Sequence, residues 1–195
     1  MEPHRTAARE RTTKETQISI ELDLDGGEIA IDTSLAFFDH MLEAFARHSG
    51  CGLRLHARGD GMDNHHLIED TAIVLGGAIA SALAEKRGIV RYGSIMLPLD
   101  DALIAASVDF SGRPFLNFKV RFERDEIGGF PLEMVGEFFR ALTDNAKMTV
   151  HLIAMEGTIS HHLCEATFKA FARSFAFAKA RSGENSVPST KGVLE

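Results

Sequence analysis

The sequence is poor in the residues that mark small secreted, fibrous or disordered proteins. It has two cysteines, Cys51 and Cys164, among 195 residues, which is too few for the disulfide framework of a small secreted protein. It has five prolines, and hydrophobic residues make up 45% and charged residues 25%, as in ordinary globular proteins. A chain of this length can bury a sizeable core. We therefore expect a folded protein of a reducing cytoplasm.

The sequence also lacks an excess of positive charge, a secretory signal and a long apolar run. Its formal net charge is −7 with histidine neutral, so nucleic acid is not an expected partner. The N-terminus runs from Met1 into charged residues without the apolar segment of a secretory signal. The longest apolar run, residues 71–84, is too short to span a bilayer and is interrupted by glycine and serine. We expect no membrane segment.

What the sequence does contain is a series of strand and helix signals that occurs twice. In the first half, period-2 and period-3.6 patterns predict strand, strand, helix, strand and long helix at residues 17–25, 28–32, 35–48, around Leu53 and 64–86. Gly26-Gly27 predicts a hairpin turn between the first two strands. The second half predicts three strands, a helix, a strand and a helix at residues 94–99, 103–110, 115–122, 132–145, 148–153 and 161–181. Residues 182–195 are expected to be irregular.

The two halves share a His-His-x-x-Glu motif. It stands at His65-His66-Leu67-Ile68-Glu69 and again at His161-His162-Leu163-Cys164-Glu165, and in both halves it opens the second predicted helix. Side chains advance about 100° per residue on a helix, so both histidines and the glutamate share one face. Adjacent histidines on a helix diverge too far to chelate one ion. One motif can therefore supply ligands to two metal ions. We expect paired metal sites that draw ligands from both halves or from neighbouring subunits.

The repeat also indicates further metal ligands. His40 precedes the first motif and Glu137 precedes the second by nearly the same number of residues, both on the first helix of their half. We predict these two residues as the seventh and eighth ligands. His151 is the competing candidate for the eighth, although it aligns with His56 on a predicted strand. Imidazole nitrogen with carboxylate oxygen suits manganese, iron or zinc.

Simpler interpretations apply to several of these residues. One His-His-x-x-Glu motif alone is more often a surface or capping feature, and it is the second copy that favours a metal site. Cys164 lies close enough to His161 to join the ligands, but its repeat counterpart Ile68 favours a buried apolar role. The other histidines are expected to be solvated or locally hydrogen-bonded, with His48 the best placed to reach a ligand: His4, His48 and His56.

Several basic and hydroxyl side chains could gather around a phosphate group. They are Arg91, Arg113, Lys169, Ser189, Thr190 and Lys191. Each basic residue by itself is better explained as a solvated charge. Three functions therefore fit the residues: a metal enzyme acting on a phosphorylated substrate, a metal-buffering or metal-structured assembly protein, and a di-metal hydrolase on another scaffold. Convergence of the basic residues on the metals would favour the first.

From Thr13 to Leu194 the sequence resembles the imidazoleglycerol-phosphate dehydratase family. The resemblance rests on six segments: residues 13–16 (TKET), 38–42 (FDHML), 63–71 (DNHHLIEDT), 111–114 (SGRP), 161–174 (HHLCEATFKAFARS) and 188–194 (PSTKGVL). It implies elimination of water from imidazole glycerol phosphate to give imidazole acetol phosphate, with two manganese ions per active site. No carbonyl acidifies the proton that leaves, so metal binding to the imidazole is expected to stabilise the negative charge.

The resemblance also implies roles for individual residues. Glu15 is the expected general base, with Glu69 and Glu165 as alternatives that also bind metal. The residues expected to bind substrate are Glu15, His40, His48, Arg91, Arg113, Lys169, Ser189, Thr190 and Lys191. The chain departs from the family at Glu137, where many members carry histidine, and in residues 59–64, a loop one residue shorter that lacks the usual histidine.

The fold that the resemblance implies is α+β and duplicated, each half a mostly antiparallel sheet backed by two helices. We expect the halves at residues 1–90 and 91–181, with a C-terminal tail at 182–195 that contributes to substrate binding. The family assembles into a hollow shell of 24 subunits, so we expect a homo-oligomer with active sites at subunit contacts.

Overall fold

The first half of the chain forms a four-stranded sheet covered by two helices. The computed structural model describes residues 4–62 and 64–194. The strands are β1 Thr6–Thr12, β2 Thr16–Asp23, β3 Ile29–Asp32 and β4 Gly52–Gly59, and the helices are α1 Ala36–Ser49 and α2 His65–Leu83. The strand order is β1-β2-β4-β3, with β3 parallel to β4 and the other pairs antiparallel. Ile18, Ile20 and Leu22 of β2 point into the core, as the period-2 pattern predicts.

The second half repeats this arrangement. Its strands are β5 Tyr92–Leu99, β6 Ala102–Asp109, β7 Phe115–Lys119 and β10 Thr149–Glu156. Its helices are α3 Met134–Ala146 and α4 Ser160–Lys179. A small hairpin of β8 Glu126–Ile127 and β9 Phe130–Pro131 lies between β7 and α3. The sheet order is β5-β6-β10-β7, with β7 parallel to β10. The predicted α+β class with two equivalent halves is therefore confirmed.

The helices pack across the two halves. Helix α1 lies against α4, and α2 lies against α3, while α2 also covers β1 and β2 and α4 covers β5 and β6. Phenylalanine rings fill the space between them: the rings of Phe139 and Phe168 lie 5.0 Å apart, and those of Phe45 and Phe171 5.6 Å apart. One hydrophobic core therefore joins both halves, and each half places its first helix beside the other half's second helix.

The predicted hairpin at Gly26-Gly27 is wrong. The chain does turn there, but β3 passes β2 and pairs in parallel with β4 on its far side. The turn crosses the start of β4 closely, since a Cβ atom at Gly52 would lie 2.8 Å from the Cα atom of Gly27. Glycine at these positions serves this close approach of two backbones.

Strand β1 and the β8–β9 hairpin were not predicted. Strand β1 carries Arg9, Glu10 and Arg11 and is largely exposed, so it has no apolar alternation for a sequence pattern to detect. Helix α2 ends at Leu83, earlier than predicted, because Ala84 and Lys86 adopt positive φ angles of 46° and 58°. By length and composition α2 could cross a membrane, but 72% of its apolar stretch is buried inside the protein, as in a core helix.

Candidate metal centre and substrate pocket

The first His-His-x-x-Glu motif lies at the exposed start of α2. His65 Nε2 lies 3.5 Å from Glu69 Oε2, one turn along the helix. His66 Nδ1 lies 3.4 Å from Asp60 Oδ2 and 3.9 Å from Glu15 Oε2. The side chains of His65 and His66 are 48% and 34% exposed. Both histidine side chains are therefore partly exposed, although the Nδ1 atom of His66 is itself buried, and the predicted base Glu15 lies beside the motif.

The turn that carries Glu15 is fixed to α2. Thr16 Oγ1 donates a hydrogen bond of 2.5 Å to Asp70 Oδ2, and Arg11 Nε lies 3.0 Å from Asp70 Oδ1. Asp70 directly follows Glu69, so its carboxylate ties the β1–β2 turn to the metal motif. The side chain of Glu15 itself is 55% exposed, which leaves it accessible to a substrate.

Helix α3 brings Glu137 near the same motif. Arg140 donates one hydrogen bond to Glu137 Oε2 at 2.7 Å and another to Glu69 Oε1 at 2.8 Å. The guanidinium thus lies between the two carboxylates and, since it also pairs with Asp144, offsets only part of their negative charge. Glu137 thus shares Arg140 with Glu69 of the opposite half, and an ion would have to compete with this guanidinium for both carboxylates.

The second motif, at the start of α4, has the same geometry. His161 Nε2 lies 3.3 Å from Glu165 Oε2, and His40 of α1 approaches with its Nε2 3.7 Å from Glu165 Oε1. Lys169 Nζ lies 2.6 Å from Glu165 Oε1. Burial tends to raise the pKa of Glu165, but the Lys169 hydrogen bond and nearby charges outweigh it, so the net pKa is lowered. The carboxylate is held ionised, as a metal ligand must be.

His162 is held by a carboxylate of its own. Its Nδ1 lies 2.7 Å from Asp101 Oδ1 in the turn between β5 and β6. Asp101 Oδ2 accepts hydrogen bonds from the backbone amides of Thr158 and Ile159. Those two amides and His162 hold the pKa of Asp101 well below its usual range.

The donor atoms suit a divalent ion, although one chain does not complete a site. Two ligands that bind one ion at about 2.1 Å and at right angles lie about 3 Å apart, close to the 3.3 and 3.5 Å between histidine and glutamate in the two motifs. Across residues 4–62 and 64–194, however, no group of three histidine, cysteine or acidic side chains is arranged to hold an ion.

The remaining candidate ligands lie elsewhere. His151 lies on β10, partly exposed, with its Nδ1 3.1 Å from Asn117 Nδ2, and its counterpart His56 has its Nδ1 3.7 Å from Asp32. Cys164 is fully buried against Met41, and burial raises its pKa far above the usual range. The apolar interpretation of Cys164 therefore holds. Burial lowers the pKa of His48, helped by Arg173 and Lys169.

The predicted phosphate-binding residues of the C-terminal tail lie together. Arg113, Ser189, Thr190 and Lys191 line a cavity of about 750 Å³ with Arg91 and Tyr92. Arg91 is already engaged: its Nε lies 2.7 Å from Asp109 Oδ1, and its Nη1 donates to the Pro188 carbonyl at 2.8 Å. Arg91 thus fixes the tail against β6, whereas Lys169 belongs to the second motif.

The chain is similar to known proteins in both sequence and fold. The family model described as imidazoleglycerol-phosphate dehydratase matches residues 33–175. The chain belongs to the imidazoleglycerol-phosphate dehydratase family. An imidazoleglycerol-phosphate dehydratase of Brucella suis is 48% identical over 100% of this chain and 98% of its own length. One from Caldicellulosiruptor saccharolyticus is 47% identical over 97% and 98%.

A bifunctional histidine-biosynthesis protein of Spirosoma linguale is 50% identical over 98% of this chain, which spans 51% of that longer protein. The crystal structure of the Staphylococcus aureus dehydratase superposes with a TM-score of 0.83 at 38% identity, over 90% of this chain and 99% of that one. A Pyrococcus furiosus family member, solved in complex with (S)-C348, superposes with a TM-score of 0.84 at 39% identity, over 95% and 100%. The duplicated α+β fold is thus that of the family.

Sequence reasoning missed three residues that contact the candidate site: Asp60, Asp101 and Arg140. Asp101 had a signal, because it precedes β6 as Glu15 precedes the equivalent strand β2. Glu15 and Asp101 are separated by fewer residues than the two His-His-x-x-Glu motifs. The reason is that the segment with β8 and β9, which the first half lacks, lies between Asp101 and the second motif. Asp60 and Arg140 have no sequence signal, since their roles depend on packing between elements.

Proposed function

We propose that the chain eliminates water from imidazole glycerol phosphate to give imidazole acetol phosphate, with two manganese ions per active site. Membership of the dehydratase family supports the reaction, which makes the chain a hydro-lyase of histidine biosynthesis. The observation that carries the metal proposal is the pair of equivalent motifs, each with a histidine nitrogen and a glutamate oxygen one helical turn apart and 3.3 to 3.5 Å from each other.

Both motifs and residues from the opposite halves would hold the ions. The proposed ligands are His40, His65, His66, Glu69, His161, His162 and Glu165, with an eighth from Glu137 or His151. Mixed imidazole and carboxylate donors without thiolate suit manganese. Bound manganese supplies a Lewis acid that stabilises negative charge on the substrate's imidazole. The chain's own residues then orient the substrate and move the proton.

Two observations bear on the eighth ligand. Glu137 would have to give up its 2.7 Å hydrogen bond to Arg140 before it could bind an ion. His151 has its Nδ1 3.1 Å from the side-chain amide of Asn117; with the amide turned so that its oxygen accepts from Nδ1–H, Nε2 is left free to bind an ion. These contacts favour His151, presented to the site of a neighbouring subunit, with Glu137 as the alternative.

Glu15 is the proposed general base. Its carboxylate is exposed beside His66, so it can contact the carbon-bound proton of a substrate held there. The alternatives Glu69 and Glu165 already accept hydrogen bonds from Arg140 and Lys169, and the Lys169 hydrogen bond helps to lower the pKa of Glu165. A carboxylate without such a partner is the better proton acceptor at neutral pH.

The substrate's phosphate group would bind in the tail cavity. Arg113 and Lys191 supply positive charge there, and Ser189 and Thr190 supply hydroxyl donors. Arg91 positions the tail through Asp109 and the Pro188 carbonyl. Lys169 and His48 lie by the second motif and would contact the part of the substrate nearer the metals. This basic cavity disfavours a pure metal-buffering role, for which it has no use.

A homo-oligomer is proposed to complete the sites. The first histidine of each motif is about half exposed, and no complete site forms among the described residues of one chain. A neighbouring subunit would complete each site by adding the missing metal ligands and the tail cavity that binds the phosphate group. We propose the 24-subunit shell of the family as this assembly, in the cytoplasm.

The decisive experiment is a turnover assay with imidazole glycerol phosphate. Manganese-loaded wild type is expected to form imidazole acetol phosphate, and the His65→Ala, His161→Ala double variant to form none. His4→Ala is the matched control, because this exposed histidine pairs with Asp23 away from both motifs. A fully metallated and assembled wild type that yields no product would overturn the proposal.

A further inference from the structure

The turn between β5 and β6 is built to hold one carboxylate still. Asp100 and Asp101 are its two residues, and Asp100 adopts a left-handed φ of 49°, a conformation that aspartate tolerates better than most residues. Asp101 Oδ2 accepts from the amides of Thr158 at 2.8 Å and Ile159 at 3.0 Å. Its Oδ1 is thereby directed at His162 Nδ1, 2.7 Å away.

The equivalent turn of the first half is built differently. Glu15 precedes β2 as Asp101 precedes β6, and each acid lies beside the second histidine of its half. The Glu15 carboxylate is 3.9 Å from His66 and 55% exposed, whereas Asp101 is 2.7 Å from His162 and 34% exposed. Glu15 is also longer by one methylene group. The Glu15 carboxylate is thus largely exposed, whereas the Asp101 carboxylate is held in place by hydrogen bonds.

We propose that the duplication has divided the two acids between two tasks, with Glu15 contacting the substrate and Asp101 acting as a positioning residue that sets the tautomer of His162. The inference rests on the proposed function, since His162 must be a metal ligand. By accepting a hydrogen bond from Nδ1–H, Asp101 leaves Nε2 unprotonated and able to bind an ion. Nε2 faces the open side of the turn, 3.5 Å from the exposed Asp100 carboxylate.

An asparagine at position 101 separates this role from a structural one. The amides of Thr158 and Ile159 require an acceptor, so the carboxamide oxygen of Asp101→Asn will take their two hydrogen bonds. Its NH2 group will then face His162 Nδ1, which must accept and moves the imidazole proton to Nε2. The turn is preserved while the metal-binding nitrogen is blocked. Asp101→Ala instead loses the acceptor for both amides and frees the tautomer.

The experiment is a manganese titration of the assembled, chelator-stripped protein, with thermal unfolding of the metal-free form as a second readout. We expect Asp101→Asn to weaken one class of manganese site by about 10- to 100-fold while its unfolding temperature stays near that of wild type. Asp101→Ala is expected to unfold at lower temperature yet to bind manganese at least as well as Asp101→Asn. A purely structural role predicts the opposite order, with alanine the worse variant in both measurements.

Two further variants complete the design. Asp32→Asn is the matched control. Asp32 also accepts a hydrogen bond from a backbone amide, that of Ser34, and also lies near the Nδ1 atom of a histidine, His56. The manganese affinity of this variant is expected to equal that of wild type. Glu15→Gln is expected to lose turnover with unchanged manganese affinity. If Asp101→Asn binds manganese at both sites with the affinity of wild type, the positioning role of Asp101 is overturned and the proposed metal centre is not. A wild type that binds no manganese would overturn the proposed metal centre and this inference with it.

Discussion

His40 Nε2 lies 3.7 Å from Glu165 Oε1 although the two residues belong to opposite halves of the repeat. The packing of α1 against α4 creates this contact. His40→Ala is therefore expected to weaken manganese binding by more than the roughly 10- to 100-fold typical of outer-shell changes, and to lower turnover with it. Isothermal titration of metal-free protein measures the affinity, and His4→Ala is the control. Unchanged affinity in His40→Ala would remove this residue from the ligands.

The choice between Glu137 and His151 is decided by metal content. Because Glu137 already accepts a hydrogen bond from Arg140, we expect Glu137→Gln to keep two manganese ions per chain and His151→Ala to lose about one of them. Elemental analysis of assembled protein after dialysis against manganese gives both counts. The reverse result would restore Glu137 as the eighth ligand.

Asp25 makes folding stability depend on pH. It accepts hydrogen bonds from Arg5 and Arg181, and those from Arg5 chiefly lower its pKa well below the usual range, against the effect of burial. Because the folded-state pKa lies below the unfolded value of about 3.9, this stabilisation is complete above about pH 5 and is lost as the pH falls toward the folded pKa. Asp25→Asn should cost about 1 to 3 kcal/mol at pH 7 and less at pH 3.

Denaturant unfolding at both pH values tests this prediction. Glu28→Gln is the control, because Glu28 pairs with Arg54 while both side chains are more than half exposed. Such surface pairs contribute little, about 0 to 1 kcal/mol. A cost for Asp25→Asn that is the same at pH 3 as at pH 7 would contradict the linkage.

Both thiols are expected to be unreactive in the folded protein. Cys51 is 2% exposed and Cys164 0%, and burial raises the pKa of each thiol. Since the thiolate is the reactive form, a disulfide reagent at pH 8 should modify neither cysteine in native protein and both after denaturation. Rapid modification of Cys164 in the native state would show that α4 opens locally.

Two glycines should respond oppositely to alanine. A Cβ atom at Gly93 would lie 1.9 Å from the Ser174 carbonyl oxygen, so Gly93→Ala must separate β5 from α4 and cost several kcal/mol, on the order of 3. At Gly136, within α3, the nearest atom would be Phe118 at 3.5 Å, an ordinary contact. There alanine should stabilise by about 0.5 to 1 kcal/mol. Thermal unfolding compares the two variants directly.

Local patterns were sufficient to locate most of the elements and the two His-His-x-x-Glu motifs. Alternation in β2 and helical spacing in α1 reflect which side chains a half-buried element must turn inward. The two copies of His-His-x-x-Glu stand out because a duplicated motif at the start of equivalent helices requires nothing from tertiary structure to be seen. The prediction of a hairpin at Gly26-Gly27 was wrong because glycine indicates where the chain turns but not which strand the following segment pairs with.

What the tertiary structure decided is which residues of the two halves meet. The sequence by itself determined the donor types, their spacing on the helices and the repeat. The packing of α1 on α4 and of α2 on α3 placed His40 beside Glu165 and put Arg140 between Glu69 and Glu137. The β5–β6 turn met the start of α4 and fixed Asp101 to His162. Such contacts join residues far apart in the chain, and their geometry comes from the shape of the shared core, which local periodicity does not encode.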